Sequence, residues 1–260
     1  MFHSHSMNRF STSVNVVTSD RGAGAMRRAR FNTSTKMARG AIMAAALLTL
    51  SFGPPAGVSV EGLSQRPSPA EILSRAEESG KRAWDALRKY TYYAELTLET
   101  VSHADTITGK YYRFSKISYD GRGNEQEKIL ETTSSLPSDL SMASNSVNNL
   151  LRVYGFMITP ETVGQYEFNY VGRESIDELS TFVFDVKPKV RMPDPEKSSD
   201  RYLKGRVWID DQDFMVVKVA GLALPEQRSH RTPRFETYFQ NHDKFWFPAF
   251  TKADDDVLAG

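Results

Sequence analysis

The pattern of apolar and polar positions changes its period at Tyr90. Upstream of this residue, apolar side chains recur every three or four positions, which is typical of an amphipathic helix. Ser68 and Glu71 form a capping box around Pro69, which is a strong helix start. Downstream, apolar and polar residues alternate as they do on a half-buried strand. The pattern therefore predicts one helix over Pro69–Lys89, followed by a sheet.

Strand-like alternation recurs through most of the remaining chain, and the segments are joined by turns rich in Gly, Asn, Asp and Ser. This spacing favours hairpins between consecutive antiparallel strands. The predicted strands are Tyr92–Glu99, Lys110–Tyr119, Glu125–Thr133, Tyr166–Glu174, Thr181–Lys187, Tyr202–Ile209, Phe214–Val219, Arg234–Gln240 and Phe245–Lys252. Together with two helical segments they predict an α+β fold that is built mostly on one antiparallel sheet.

The second helical segment lies within Ser134–Thr159, where apolar residues return to helical spacing among many Ser and Asn residues. Ser and Asn are weak helix formers, so the pattern predicts a marginal helix that packs its apolar stripe onto the sheet. Such a helix would be suited to move. A plain crossover connection is an equally good interpretation of the same pattern.

The N-terminal part of the chain has the pattern of an export signal. Met26–Lys36 is basic and lacks acidic residues, and Ala41–Phe52 is apolar and is followed by small and turn-forming residues. The apolar run is shorter than the roughly 20 residues of a membrane-spanning helix. A buried Ala-rich helix is the alternative. We expect residues 1–62 to be a disordered leader with a secretion signal, unstructured before Met26, and residues 63–260 to form a single periplasmic domain.

Charge and cysteine content narrow the possible functions. The formal net charge is +1, so no global field would attract nucleic acid or an anionic membrane surface. The chain has no Cys. This excludes disulfides, thiolate metal sites, Cys nucleophiles and a lipid anchor on a cysteine. We therefore expect an exported protein without a stable membrane anchor and without a nucleic-acid partner.

Candidate catalytic and metal-binding residues are few. Asp210, Asp211 and Asp213 stand between two predicted strands, where Asp favours a tight turn, and the bend Gly and distal Glu of a calcium loop are missing. His103, His230 and His242 lack the spacing of metal ligands. Asp254–Asp256 lie near a terminus, where we expect them to be solvated. We predict no catalytic residue, no metal site and no cofactor. An enzyme would require a carboxylate or His cluster inside a cavity.

Aromatic residues are plentiful on the predicted strands, often on both faces. Core packing is the default role for each of them. Taken together, they favour an apolar groove between the sheet and the helices. The candidate cavity-lining residues are Phe114, Phe182, Phe184, Trp208, Phe235 and Trp246.

Three stretches together resemble the LolA-like family of periplasmic proteins that sort outer-membrane lipoproteins, in a branch associated with acidobacteria. They are YEFNYVGRESIDELSTFVFDVKPK, RYLKGRVWIDDQDFMVVKVAGLALP and TPRFETYFQNHDKFWFPAFTKADDD. The resemblance covers roughly Tyr90–Asp256. The combination of Trp208-Ile209-Asp210, Phe214–Lys218 and Trp246-Phe247-Pro248 makes it specific.

The resemblance implies a curved, incomplete antiparallel β-barrel with helices packed over its concave face. It implies a carrier that takes lipoprotein acyl chains or other lipids into an apolar cavity and works with inner- and outer-membrane lipoprotein-handling proteins. No position of this sequence can be matched to the arginine that gates the cavity in that family. Similar members continue past the segment that matches Ala253–Asp256, so we expect a C-terminally shortened chain with an exposed sheet edge.

Three functional interpretations remain open. A carrier of acylated or apolar ligands would have a connected internal cavity. An envelope-stress sensor or protein-binding module on the same scaffold would have a filled interior and an exposed apolar patch. An enzyme would have titratable residues inside the cavity.

Overall fold

Ten strands and three helices make up the described part of the computed structural model, which comprises residues 8–18, 66–102, 106–136, 144–226 and 234–257. For residues 8–18, 144–147 and 254–257 only the backbone is described. These elements belong to one compact unit. In chain order they are β1 (Asn8–Thr18), α1 (Pro69–Leu87), β2 (Tyr92–Val101), β3 (Ile107–Tyr119), β4 (Glu125–Ser134), α2 (Ser144–Tyr154), α3 (Pro160–Val163), β5 (Tyr166–Ile176), β6 (Leu179–Pro188), β7 (Tyr202–Asp210), β8 (Val216–Leu224), β9 (Arg234–His242) and β10 (Phe245–Val257).

All ten strands form one antiparallel sheet in the order β4-β3-β2-β1-β10-β9-β8-β7-β6-β5. The edge strands β4 and β5 do not pair with each other, so the barrel is incomplete. Flat strands spaced about 4.8 Å apart would spread ten strands over more than 40 Å. Side chains from β2 and from β6–β10 nevertheless share one core cluster with α1. The sheet is therefore curved around the helices, and the predicted α+β fold class is confirmed.

The N-terminal strand corrects two expectations. Residues before Met26 were expected to lack structure, but Asn8–Thr18 form β1. An exposed edge was expected at the C-terminal strand, but β10 pairs with β9 on one side and with β1 on the other. The predicted signal segment, Ala41–Phe52, lies outside the described residues.

Helix α1 follows its sequence signals closely. The Ser68 hydroxyl accepts a hydrogen bond from the Glu71 backbone N–H, 3.2 Å away, and Pro69 is the first helical residue. The buried face of α1 is made of Ile72, Leu87 and smaller residues, including Ala76 and Gly80. Small side chains allow the helix backbone to approach its neighbours closely. A Cβ at Gly80 would overlap the carbonyl oxygen of Ile158.

The predicted marginal helix is present over part of its range, as α2. Its apolar residues Val153 and Tyr154 are buried, and Leu150 and Leu151 pack against the same core. The chain then passes through buried Phe156–Ile158 before the single turn of α3. This stretch packs under α1 and closes one side of the interior.

We predict that Gly80→Ala will lower the free energy of unfolding by about 1–3 kcal/mol, because the added methyl group must push α1 away from Ile158. Urea unfolding measures the change. Gly164→Ala is the matched control, since a Cβ there would have no atom within 4 Å and the residue has φ −67°. We expect the control to change stability by less than about 1 kcal/mol. Equal losses in both variants would contradict the close approach at Gly80.

Candidate functional site

The interior between α1 and the sheet is apolar and nearly closed. It contains a cavity of about 10 Å³. The lining residues are Ala76, Gly80, Ala83, Met157, Ile158, Met215, Val216, Phe239 and Trp246. A volume of this size corresponds to about one water molecule, whereas ligand pockets in proteins usually have about 300–1,000 Å³. An acyl chain therefore does not fit into this cavity as it stands.

Three of the six candidate cavity-lining residues lie together in the core. Phe182 and Phe184 project from β6, and Phe235 projects from β9; all three are buried in the cluster beneath the helices. Phe235 contacts Tyr154 of α2, with 4.5 Å between ring centroids. The structure thus places these aromatics where the helix layer meets the sheet.

Trp246 is the candidate that directly lines the cavity. Its ring packs against the main core and also against a second, smaller cluster formed by Val183, Trp208 and Val217. Its indole N–H donates a hydrogen bond to Asp213 Oδ2, 2.8 Å away. Trp246 therefore has an apolar face toward the interior and a fixed polar end at the β7–β8 turn.

Trp208 and Phe114 are not brought to this interior. The neighbours of Trp208 on β7, Val207 and Ile209, belong to the main core, so Trp208 lies on the opposite face of the sheet. Its indole N–H donates to Glu174 there, over 2.7 Å. Phe114 stacks on Tyr93 at 5.5 Å and alternates on β3 with the buried Arg113. Trp208 and Phe114 therefore lie outside the core cluster that contains Phe182, Phe184 and Phe235, and a ligand-binding role for any of the six residues stays a prediction.

The acidic turn between β7 and β8 is a structural corner, as the sequence predicts. The Asp210 Oδ2 atom accepts hydrogen bonds from the backbone N–H groups of Gln212 and Asp213, at 2.9 and 3.0 Å. This is the local bonding that makes Asp a turn former. Phe214 adopts φ +59° within the turn, so β8 begins at Val216 instead of at Phe214.

Asp213 also connects this corner to two other elements. Its carboxylate accepts the hydrogen bond from Trp246 of β10, and its carbonyl oxygen accepts one from the Ser79 hydroxyl of α1, 2.8 Å away. Burial raises the pKa of the Asp213 carboxyl, and the nearby Asp210 charge adds to this, while hydrogen bonds from Trp246 and the Met215 backbone oppose it. The turn therefore fastens the helix layer to the sheet at one end of the cavity.

A buried arginine lies under α2. Arg113 is 2% exposed; its Nη2 donates to Asn148 Oδ1 at 3.0 Å, and its Nε lies 3.4 Å from Glu127 Oε1. Its Nε and Nη1 atoms have no hydrogen-bond partner. Leaving such donors unsatisfied costs free energy, so this contact holds α2 less firmly than a fully paired arginine would.

Within the described ranges, no group of three His, Asp or Glu side chains is arranged to hold a metal ion. None of the helices that the structure describes has the length and apolarity needed to cross a membrane.

Comparisons with known proteins found matches among solved structures. No family model matches the chain, and no curated protein matches its sequence. Among solved structures, a DUF1329 family protein from Desulfovibrio piger has 11% identity and a TM-score of 0.29, covering 72% of this chain and 93% of that one. A LolA superfamily protein from Nitrosomonas europaea has 9% identity and a TM-score of 0.26, covering 100% and 88%.

A third solved structure is a putative outer membrane lipoprotein-sorting protein domain from Vibrio parahaemolyticus. It has 14% identity and a TM-score of 0.25, and the match covers 66% of this chain and 78% of that one. At these identities and TM-scores, none of the three indicates a ligand or an activity for this chain.

We predict that Asp213→Asn will become more stable relative to the wild type as the pH rises. The fold raises the pKa of Asp213 above its ordinary value of 3.8, so the folded state holds the carboxyl proton more tightly than the unfolded state does. This proton stabilises the fold fully below pH 3.8, and the stabilisation is lost as the pH rises through the folded-state pKa. The Asn variant lacks this loss. Urea unfolding at several values between about pH 4 and pH 7 measures the difference. The exposed Asp194→Asn is the control. A difference that is independent of pH would contradict the prediction.

We also predict that the double variant Arg113→Met, Glu127→Gln will change the free energy of unfolding by less than about 1 kcal/mol or will increase it, because it leaves neither the unsatisfied donors of the arginine nor an unpaired carboxylate in this site. Asn148→Ala should lower it by about 1–3 kcal/mol, because Arg113 then loses its hydrogen bond to α2. Both are measured by urea unfolding. A larger loss in the double variant than in the Asn148 variant would show that the arginine contact is strongly stabilising.

Proposed function

We propose that this domain is a periplasmic carrier that binds the acyl chains of lipoproteins, or other apolar ligands, between its helices and its curved sheet. The observation that carries the proposal is the lining of the cavity beneath α1: all nine residues around it are apolar. A site of this composition excludes charged ligands and accepts hydrocarbon. The resemblance of the three stretches from Tyr166 onward to lipoprotein-sorting proteins supports the same assignment.

Binding requires that the interior open. The helix side of the cavity is made of small residues on α1, and two of the lining residues are methionines, whose flexible side chains can repack around a ligand. Helix α2, which precedes the lining residues Met157 and Ile158, is held to β3 by an arginine with two unsatisfied donors. In the proposed mechanism α2 moves first, since displacing it exposes Arg113 to water and removes the cost of its unpaired groups.

A second candidate function is supported by different residues. The cavity beneath α1 is small, and the edge strand β4 exposes Ile129 and Leu130, each by more than two fifths of its surface. An exposed edge strand is a surface to which another protein can add a strand. These features favour a protein-binding module or envelope-stress sensor on the same scaffold.

Tryptophan quenching separates the two candidates. Of the three Trp residues, Trp246 lines the cavity, Trp208 lies on the opposite face of the sheet, and Trp84 is exposed on α1. We predict that a mid-chain dibrominated stearate will quench the fluorescence of a variant that retains only Trp246 (Trp84→Phe, Trp208→Phe). Bromine quenches over a short distance, so stronger quenching of this variant than of one that retains only Trp208 would support an acyl chain in the interior.

The matched control retains only Trp208 (Trp84→Phe, Trp246→Phe), and we expect it to remain unquenched at the same concentration. Native mass spectrometry of the wild type should show bound lipid that is lost when detergent is added. Equal quenching of both variants would indicate non-specific surface binding. Absence of quenching and of bound lipid in a folded protein would reject the carrier and favour the protein-binding module.

A further inference from the structure

Strand β1 occupies an unusual position in the sheet. It lies between β2 and β10, and it is hydrogen-bonded to both over most of its length. Its register pairs Thr12 with Leu98 on one side and with Ala253 on the other. The backbone of β1 is therefore held by two ladders at once.

Without β1, the described sheet separates into two meanders. Strands β2–β4 follow one another in sequence and are neighbours, and the same is true of β5–β10. Only β1 joins the two groups, and residues 19–65 separate it along the chain from the next described residues. Every other described strand pairs with a strand that a short connection joins to it, whereas β1 belongs to no such hairpin. Removal of β1 therefore breaks none of the local hairpins.

The strands that flank β1 offer a defined surface. On β2, Leu96, Leu98 and Thr100 are buried, and on β10 Thr251 and Ala253 are buried. Two strands on either side of a missing strand are about 9.6 Å apart, which is the width for one extended chain to pair with both. The buried residues on β10 are small or β-branched, so this surface suits an occupant with compact side chains at alternate positions.

We propose that the gap between β2 and β10 is a strand-acceptor site for an extended polypeptide of about ten residues, and that Asn8–Thr18 is a replaceable occupant of this site. Recognition uses the two backbone ladders, and selectivity comes from alternate positions that face the buried residues of β2 and β10. The sequence NRFSTSVNVVT has this pattern, with Phe10, Thr12, Val14 and Val16 alternating with polar residues.

The inference has a consequence for the exported protein, and this step alone rests on the proposed periplasmic location. Cleavage after the apolar segment Ala41–Phe52 would separate β1 from the domain. The acceptor site would then be free for an extended segment of another polypeptide. Strand pairing itself does not depend on acyl-chain binding, so either proposal can fail without the other.

The test starts from the full chain, with a protease site inserted within residues 19–65. After folding, the protein is cut at this site and mixed with a fluorescent synthetic peptide of the sequence Asn8–Thr18. We expect the labelled peptide to replace the original strand and to raise the fluorescence anisotropy to that of the domain. The control peptide carries Val14→Pro, which removes a ladder donor. We expect it to bind at least tenfold more weakly.

Two results would overturn the proposal. One is that the cut strand stays bound and the labelled peptide does not enter; the other is that the Pro peptide enters equally well. Hydrogen exchange on the uncut chain gives a second measurement if the cut protein precipitates. We expect β1 amides to exchange at least tenfold faster than those of β7, which has two neighbours that are adjacent in sequence. Equal protection of β1 and β7 would contradict a replaceable strand.

Discussion

The close packing of α1 against the segment after α2 and against the β7–β8 turn is the constraint on which the rest of the structure depends. Gly80 brings the helix against the carbonyl of Ile158, and Ser79 donates to the carbonyl of Asp213 in the β7–β8 turn. Since the same turn accepts a hydrogen bond from Trp246, helix, hairpin and last strand meet at one corner. These contacts limit the distance between α1 and the sheet, and with it the volume of the interior. The helix cannot rise to admit a ligand without breaking contacts here or bending away from them.

Local signals in the sequence were sufficient for most of the fold. The capping residues around Pro69 act within one helical turn, and the hairpin turns act within a few residues, so both can be recognised without knowing the tertiary structure. The Asp210 turn belongs to the same class, because its carboxylate bonds to backbone groups two and three residues away. The candidate aromatic Phe235 follows a related local signal, because buried and exposed residues alternate along β9.

The remaining features depend on contacts between distant residues. Trp208 lies between Val207 and Ile209, so the pattern is apolar on both faces and cannot indicate which face is the interior. The link from Asp213 to Ser79 and Trp246 joins three elements that are far apart in sequence. Strand β1 did carry a signal, the alternation from Phe10 to Val16, but its position ahead of a signal-like segment favoured a leader.

A nearly closed interior and a carrier function are compatible if the closed form is the resting state of a two-state system. A ligand opens the domain only when its affinity for the open form exceeds the cost of opening. Burying about ten methylene groups contributes about 8 kcal/mol. If opening the α2 side costs about 3 kcal/mol, about 5 kcal/mol remains, which corresponds to a dissociation constant of roughly 0.2 mM. Tighter binding therefore requires either two or three acyl chains or a smaller free energy of opening. The unsatisfied donors of Arg113 lower the free energy of opening, because they can bond to water once α2 moves.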